Sequence, residues 1–178
     1  GKAKITARTS ATVAVATVTT AFTNTNATEA FKLGAFSDTT GHPSCVSFFE
    51  QRLVFAGTTD EPQTLYFSKS GDYENMTTGT NADDAMVYTI ASNQVNKIRY
   101  LKAVRTLLIG TTGGEFSVSA DGTDAAVTPT NVTIKRQSSH GAANVDAQPA
   151  GNAVLFLQRA KRKIRELAYN YDSDGYVA

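Results

Sequence analysis

Leu53-Val54-Phe55-Ala56-Gly57 is a short, strongly apolar run that closes on glycine, and its like returns twice, as Leu107-Leu108-Ile109-Gly110 and as Val154-Leu155-Phe156-Leu157. The starts lie about fifty residues apart, close to the spacing of β-propeller blades. Runs this short, bounded by turn residues and rich in β-branched and aromatic side chains, read as strands buried on both faces. The surroundings repeat as well. Cys45–Phe49, Lys97–Leu101 and Asn144–Gln148 precede the three runs, and amphipathic stretches Leu65–Ser68, Glu115–Ser119 and Lys163–Tyr169 follow them, each leading into Gly-Asp or Asp-Gly. Fourth, outer strands are expected at Met86–Ile90 and Val132–Arg136, with none for the third unit. One such meander cannot cover both its faces, so neighbouring units must stack to exclude water.

Working outward, Ala11–Thr19 alternates small polar and apolar residues at period two and reads as a half-buried strand. Asn24-Thr25-Asn26 reads as a turn and Ala30 to Phe36 as another short strand. The expected architecture is all-β: a small N-terminal β module over residues 1–40, then a partial β-propeller-like domain over 41–178. The latter holds about three blade-like four-stranded meanders, near 43–92, 93–140 and 141–178. Three blades do not close a propeller. The only helical candidate, Ala160–Leu167, also reads as a strand. Gly1 reads as a cloning scar or an internal cut and Asp174–Ala178 stops where a further strand could begin, so the chain is expected to be a piece of a longer one.

Seventeen basic side chains against sixteen acidic ones make a net charge of +1, which gives no global electrostatic case for nucleic acid or a membrane surface. The single cysteine, Cys45, excludes an internal disulfide framework and a cysteine-rich zinc site. No apolar run approaches the roughly twenty residues of a membrane-spanning helix, and no apolar stretch follows Lys2 and Lys4 as in a signal peptide.

Catalytic groups are sparse. His42 and His140 are far apart and each sits among turn residues. Cys45 near His42 reads as a buried thiol more readily than as a nucleophile–base pair. Ser138-Ser139 beside His140 lacks an elbow motif, and Asp83-Asp84 reads as a solvated turn. Gly110-Thr111-Thr112-Gly113-Gly114-Glu115 has no following lysine or helix to cradle phosphate and reads as a hairpin turn with residues at positive φ. The expectation is a chain that is not an enzyme and takes no cofactor, with one exception left open: Asn170, Asp172 and Asp174 alternate as at the opening of a calcium loop. Arg159, Lys161, Arg162, Lys163 and Arg165 form the one basic cluster. It is either a hairpin tip aimed at DNA phosphates or a solvated turn partnered by Glu166.

Several long blocks are similar to a known family. Gly41–Gly57, Pro62–Asn75, Gln94–Arg99, Gly113–Phe116, Thr128–Val132 and Arg162–Tyr169 occur in an order that resembles the tail tubular protein B-like, or nozzle, proteins of short-tailed phages and prophages. The resemblance covers most of residues 30–178. It implies a non-enzymatic virion tail component, assembled in the bacterial host cytoplasm, that carries a propeller. It further implies a ring of copies, commonly a hexamer, set below the portal and adaptor and beside other tail proteins, in non-specific contact with passing DNA. No catalytic residues carry over. A ligand- or carbohydrate-binding, adhesin-like propeller module is the alternative, although the absence of tryptophan counts against sugar stacking. A hydrolase on a propeller is disfavoured by the scarcity of histidine and the scattered carboxylates.

Overall fold

The computed structural model describes residues 1–29, 34–38, 40–122, 125–172 and 174–178. The described residues are all-β, with fourteen strands and no helix. They fall into two compact units, 1–33 and 34–178.

The first unit is a single antiparallel hairpin of β1 (Lys2–Arg8) and β2 (Ala14–Thr20), closed by a turn in which Thr9 N and Ser10 N both donate to Val13 O. Residues 11–13, expected in the strand, are used in that turn. The partner strand is Lys2–Arg8, whose Lys-Ala-Lys-Ile alternation carries a period-two signal of its own. Every residue of the pair is exposed, and a lone two-stranded hairpin is marginal in water. Of the expected strand from Ala30 to Phe36, 30–33 lie outside the described residues and Gly34–Phe36 is not strand. Phe36 instead packs edge-on against Phe55 and Tyr66, with ring centroids 5.3 and 5.0 Å away.

The second unit holds three four-stranded antiparallel meanders, none closed into a barrel. The first sheet is β3 (Cys45–Phe49), β4 (Arg52–Ala56), β5 (Thr64–Phe67) and β6 (Met86–Thr89). The second is β7 (Ile98–Ala103), β8 (Leu107–Thr111), β9 (Gly114–Ser119) and β10 (Thr133–Ser138). The third is β11 (Gln148–Ala150), β12 (Ala153–Leu157), β13 (Ile164–Asn170) and β14 (Gly175–Val177). Two expectations are corrected in the third sheet. It has a fourth strand, β14, which is only three residues long and falls below any periodic pattern. Its first strand lies at Gln148–Ala150, not Asn144–Gln148, because Asn144–Ala147 is used to link the second and third sheets. Just before that stretch, Ala142 N bonds Thr111 O at 2.7 Å and Ala143 N bonds Leu157 O at 2.8 Å. Pro149 is tolerated because β11 is an edge strand.

Alternation of side chains explains the stacking. Leu107 and Ile109 point to the first sheet, where they join Cys45, Phe49, Val54, Leu65, Phe67 and Met86. Leu108 and Tyr100 point to the third sheet, joining Val154, Phe156, Leu167 and Tyr176. All five residues of β8 are therefore buried. At about 1.5–3 kcal/mol per fully buried aliphatic side chain, neither face of this strand could be left wet. Arg52, 3 % exposed, ties the far end of the first sheet together: its guanidinium donates to the carbonyls of Ser68 (2.8 Å), Ala82 (2.5 Å) and Asp84 (2.7 Å).

Across the second sheet one row runs Tyr100, Gly110, Glu115, Ser138. The Tyr100 ring lies flat over Gly110, so that a β-carbon there would meet Cε1 at 2.0 Å. Gly110→Ala must therefore displace a ring that is only 1 % exposed. A loss of about 1–3 kcal/mol is expected in denaturant unfolding, the range for overpacking a core; an unchanged midpoint would mean the ring is free to shift.

Candidate nucleic-acid interface

In an antiparallel meander, successive turns leave opposite ends of the sheet, and the three sheets are oriented alike. Glu50 from the β3–β4 turn, Thr106 from β7–β8, Asp121 from the β9–β10 link and Asp174 from β13–β14 all line one depression. At the other edge Gly113 of the β8–β9 turn lies beside Ser92–Gln94 and Asn96 of the β6–β7 link, and the β12–β13 turn reaches the β8–β9 turn.

This sorts the charge. Among the described turn and link residues, one edge carries Glu50, Asp72, Glu74, Asp83, Asp84, Asp121, Asp172 and Asp174 against Lys69 and Arg105. The opposite edge carries Lys97, Arg159, Lys161, Arg162 and Lys163 against Asp38, Asp60, Glu61 and Asp146. The near-neutral total conceals two edges of opposite sign.

The basic cluster occupies the β12–β13 turn. Gln158 N bonds Lys163 O at 2.9 Å and Lys161 N bonds Gln158 O at 2.8 Å. Arg159, Lys161, Arg162 and Lys163 are exposed, and none of these four forms an ion pair with a described carboxylate, Glu166 included. Lys161 sits at φ 57°, the left-handed region that glycine or asparagine would occupy at less cost. Arg165 departs from the group: it is half-buried on β13 and donates from Nε to Gln158 Oε1 at 3.2 Å. Arg136, which its placement on an outer strand left unremarked, joins the cluster instead. It donates to Gly113 O at 2.9 Å while Arg159 donates to the adjacent Thr112 O at 3.3 Å, so two guanidinium groups meet at one turn.

That turn is the expected hairpin, but its glycines serve a different purpose from the one expected. Neither Gly113 nor Gly114 has positive φ. A β-carbon on Gly113 would meet Asn96 Oδ1 at 2.2 Å, and one on Gly114 would meet Ser138 O at 2.5 Å. Close approach of the Asn96 side chain in the β6–β7 link and of the end of β10 requires them.

The remaining candidates are occupied structurally. Asp83 Oδ2 lies 2.7 Å from Lys69 Nζ and Asp84 Oδ1 lies 3.8 Å from it; Lys69 holds the Asp83 carboxyl below its ordinary range. Cys45 is buried with Sγ facing Ile98 O, and burial pushes its thiol up, away from the reactive thiolate. His42 turns instead to Asp38, at 3.3 Å. Asn170, Asp172 and Asp174 belong to the β13–β14 hairpin inside the third sheet. Asp172 N donates to Asn170 Oδ1 at 2.8 Å and the Tyr169 hydroxyl donates to Asp174 Oδ1. Two oxygens of the calcium pattern are thus engaged within the hairpin.

Ser138 donates to Glu115, which is fully buried on β9 with its other carboxyl oxygen unpartnered; the Tyr100 hydroxyl is likewise buried without a partner. Burial drives the Glu115 pKa above the ordinary carboxyl value, against smaller opposing effects of Ser138 and of the backbone and ring of His140.

No family model matches the chain, and no curated protein matches it.

Glu115 binds its proton more tightly in the folded chain than in the unfolded one. Its contribution to stability is therefore fully present below the ordinary carboxyl pKa and is lost as pH rises through the folded value. Glu115→Gln keeps an uncharged hydrogen-bonding group in place. Urea midpoints of the native protein should fall relative to the variant's as pH rises across that window; parallel curves would show that Glu115 carries no such linkage.

Proposed function

We propose that the chain is a structural element of a bacteriophage tail, of the nozzle type, whose work is shape and which forms part of the channel wall along which DNA leaves. In this reading it takes part in no chemistry, joins copies of itself and neighbouring tail proteins, and belongs to the virion. The long blocks from Gly41 to Tyr169 that resemble the nozzle family support it. The observation that carries the DNA contact is the cluster of unpaired cations on one edge, Arg159, Lys161, Arg162 and Lys163, gathered with Arg136 around the β8–β9 turn. A lysine held at positive φ in the same turn fits a site where charge is kept at some backbone cost.

A stack of rigid sheets suits this work. It needs no moving part, and a loose row of phosphate contacts lets DNA slide, because such contacts carry no sequence information. The acidic opposite edge would repel DNA, which leaves a single edge to face it.

Duplex DNA binding, followed by fluorescence anisotropy over a salt series, tests the reading. Lys161→Ala combined with Lys163→Ala should weaken binding of every sequence alike and make the slope of log K against log salt shallower by about two, one per lost phosphate contact. Arg105→Ala on the acidic edge should leave binding unchanged. No binding at low salt, or equal slopes for the native chain and the double variant, would remove the DNA-lining role.

A further inference from the structure

A cleft of about 580 Å³ lies between the last strands of the first and second sheets, walled by the end of β6, the β6–β7 link and β10. Its size falls within the about 300–1,000 Å³ of small-molecule sites. The floor is apolar: Ile90 and Phe116 are 3 % and 5 % exposed, and Ile134 packs against the same core. Among the described residues that line it there is no carboxylate. Phe116 and Arg136 are cross-strand partners, so the guanidinium stands on the same face of the second sheet as the floor. Glu115, the adjoining acid, is on the opposite face of β9.

The walls are held in shape. Asn96 is buried, its Nδ2 donating to Ser92 Oγ at 3.2 Å and its Oδ1 accepting from Thr112 Oγ1 at 3.5 Å. The bare backbone of Gly113 makes room for that carboxamide. Arg136 is fixed through Nε and Nη2 to the carbonyls of Ser138 and Gly113, at 3.3 and 2.9 Å. Its charge is thereby oriented, yet no described carboxylate neutralises it. The side chains of Asn93 and Gln94 are exposed on the rim and make no hydrogen bond with a described residue. A preset cation, unengaged carboxamides and an apolar floor suit an organic anion with polar edges.

We infer that the cleft takes one unpaired nucleotide of a DNA strand. Its phosphate meets Arg136, and its base lies over the apolar floor with an edge toward Asn93 and Gln94. A carboxamide sets a donor beside an acceptor, as base edges do. The cleft adjoins the β8–β9 turn where Arg136 and Arg159 converge, so a strand following the basic edge passes its mouth. A stacked duplex withholds the base, whereas a strand end or gap presents it. The choice of a nucleotide among organic anions rests on the DNA contact proposed above.

Amide NMR shifts of the native chain, titrated with deoxyadenosine monophosphate, test the site. Saturable shifts should gather at Ser92–Asn96, Gly113 and Ile134–Arg136. Deoxyadenosine and deoxyribose 5-phosphate each carry half of the ligand, and each should bind at least about tenfold more weakly. Arg136→Gln should weaken the monophosphate by about tenfold or more, the loss expected for a hydrogen bond to a charged group. Asn93→Ala combined with Gln94→Ala should weaken it by about three- to tenfold and leave deoxyribose 5-phosphate unchanged. Both of the latter side chains are exposed, and the amide spectrum checks that each variant is folded. The inference is overturned if the monophosphate does not saturate, or if its shifts gather at 159–163 instead. It is equally overturned if deoxyribose 5-phosphate binds as well as the monophosphate, or if either variant binds it like the native chain. Duplex binding without monophosphate binding removes this site and spares the channel wall; monophosphate binding without duplex binding does the reverse.

Discussion

Strand Leu107–Thr111 has no side that water can reach, and the rest of the second unit follows from that. A four-stranded meander with one wet face reads as alternating polar and apolar residues. This one cannot be wet on either face, so it must lie between two others. The first sheet supplies Phe49, Val54 and Phe67 on one side and the third supplies Val154, Phe156 and Leu167 on the other. The glycines of the second sheet answer the same constraint: Gly110 clears the ring of Tyr100, and Gly113 and Gly114 clear Asn96 and the end of β10. The outer sheets are wetter on their far faces, where Val46 and Phe48 of the first and Ile164 of the third are exposed.

The same stacking generates the electrostatics. Because all three sheets run alike, the turn between the second and third strands of each meander arrives at one edge, and the turns on either side of it arrive at the opposite one. Residues far apart in the chain, such as Arg136 and Arg159, converge there, and acids from Glu50 to Asp174 collect at the far side. A net charge of +1 therefore describes a molecule with a basic edge and an acidic edge. The proposed DNA contact draws on the first of these alone.

Much of this was legible in the order of residues. The three apolar runs mark the centres of the three sheets because a doubly buried strand has no choice but continuous apolar character. The basic turn was visible as a charge run. Other features were not visible, for physical reasons. β14 is too short to show a period, and Pro149 hides β11 although an edge strand accepts it. Arg136 looks like an ordinary strand residue until the fold brings Gly113 O beside it. Glu115 looks like a solvent-facing residue of an amphipathic strand, yet it lies on the face that meets the third sheet. Charge sorting depends on which way turns point, and no local pattern records that. The reason for the glycines at 113 and 114 was likewise not local: the backbone there is ordinary, and the crowding comes from elements remote in sequence.

Hydrogen exchange at the amides of β8 tests the central claim most directly. If the middle sheet is sealed between its neighbours, Leu107–Thr111 should exchange only through global unfolding and be the slowest amides in the chain, while the exposed hairpin Lys2–Arg8 exchanges far faster. Exchange of Leu107–Thr111 through local opening, at rates like those of Lys2–Arg8, would contradict the stacked arrangement on which everything else here depends.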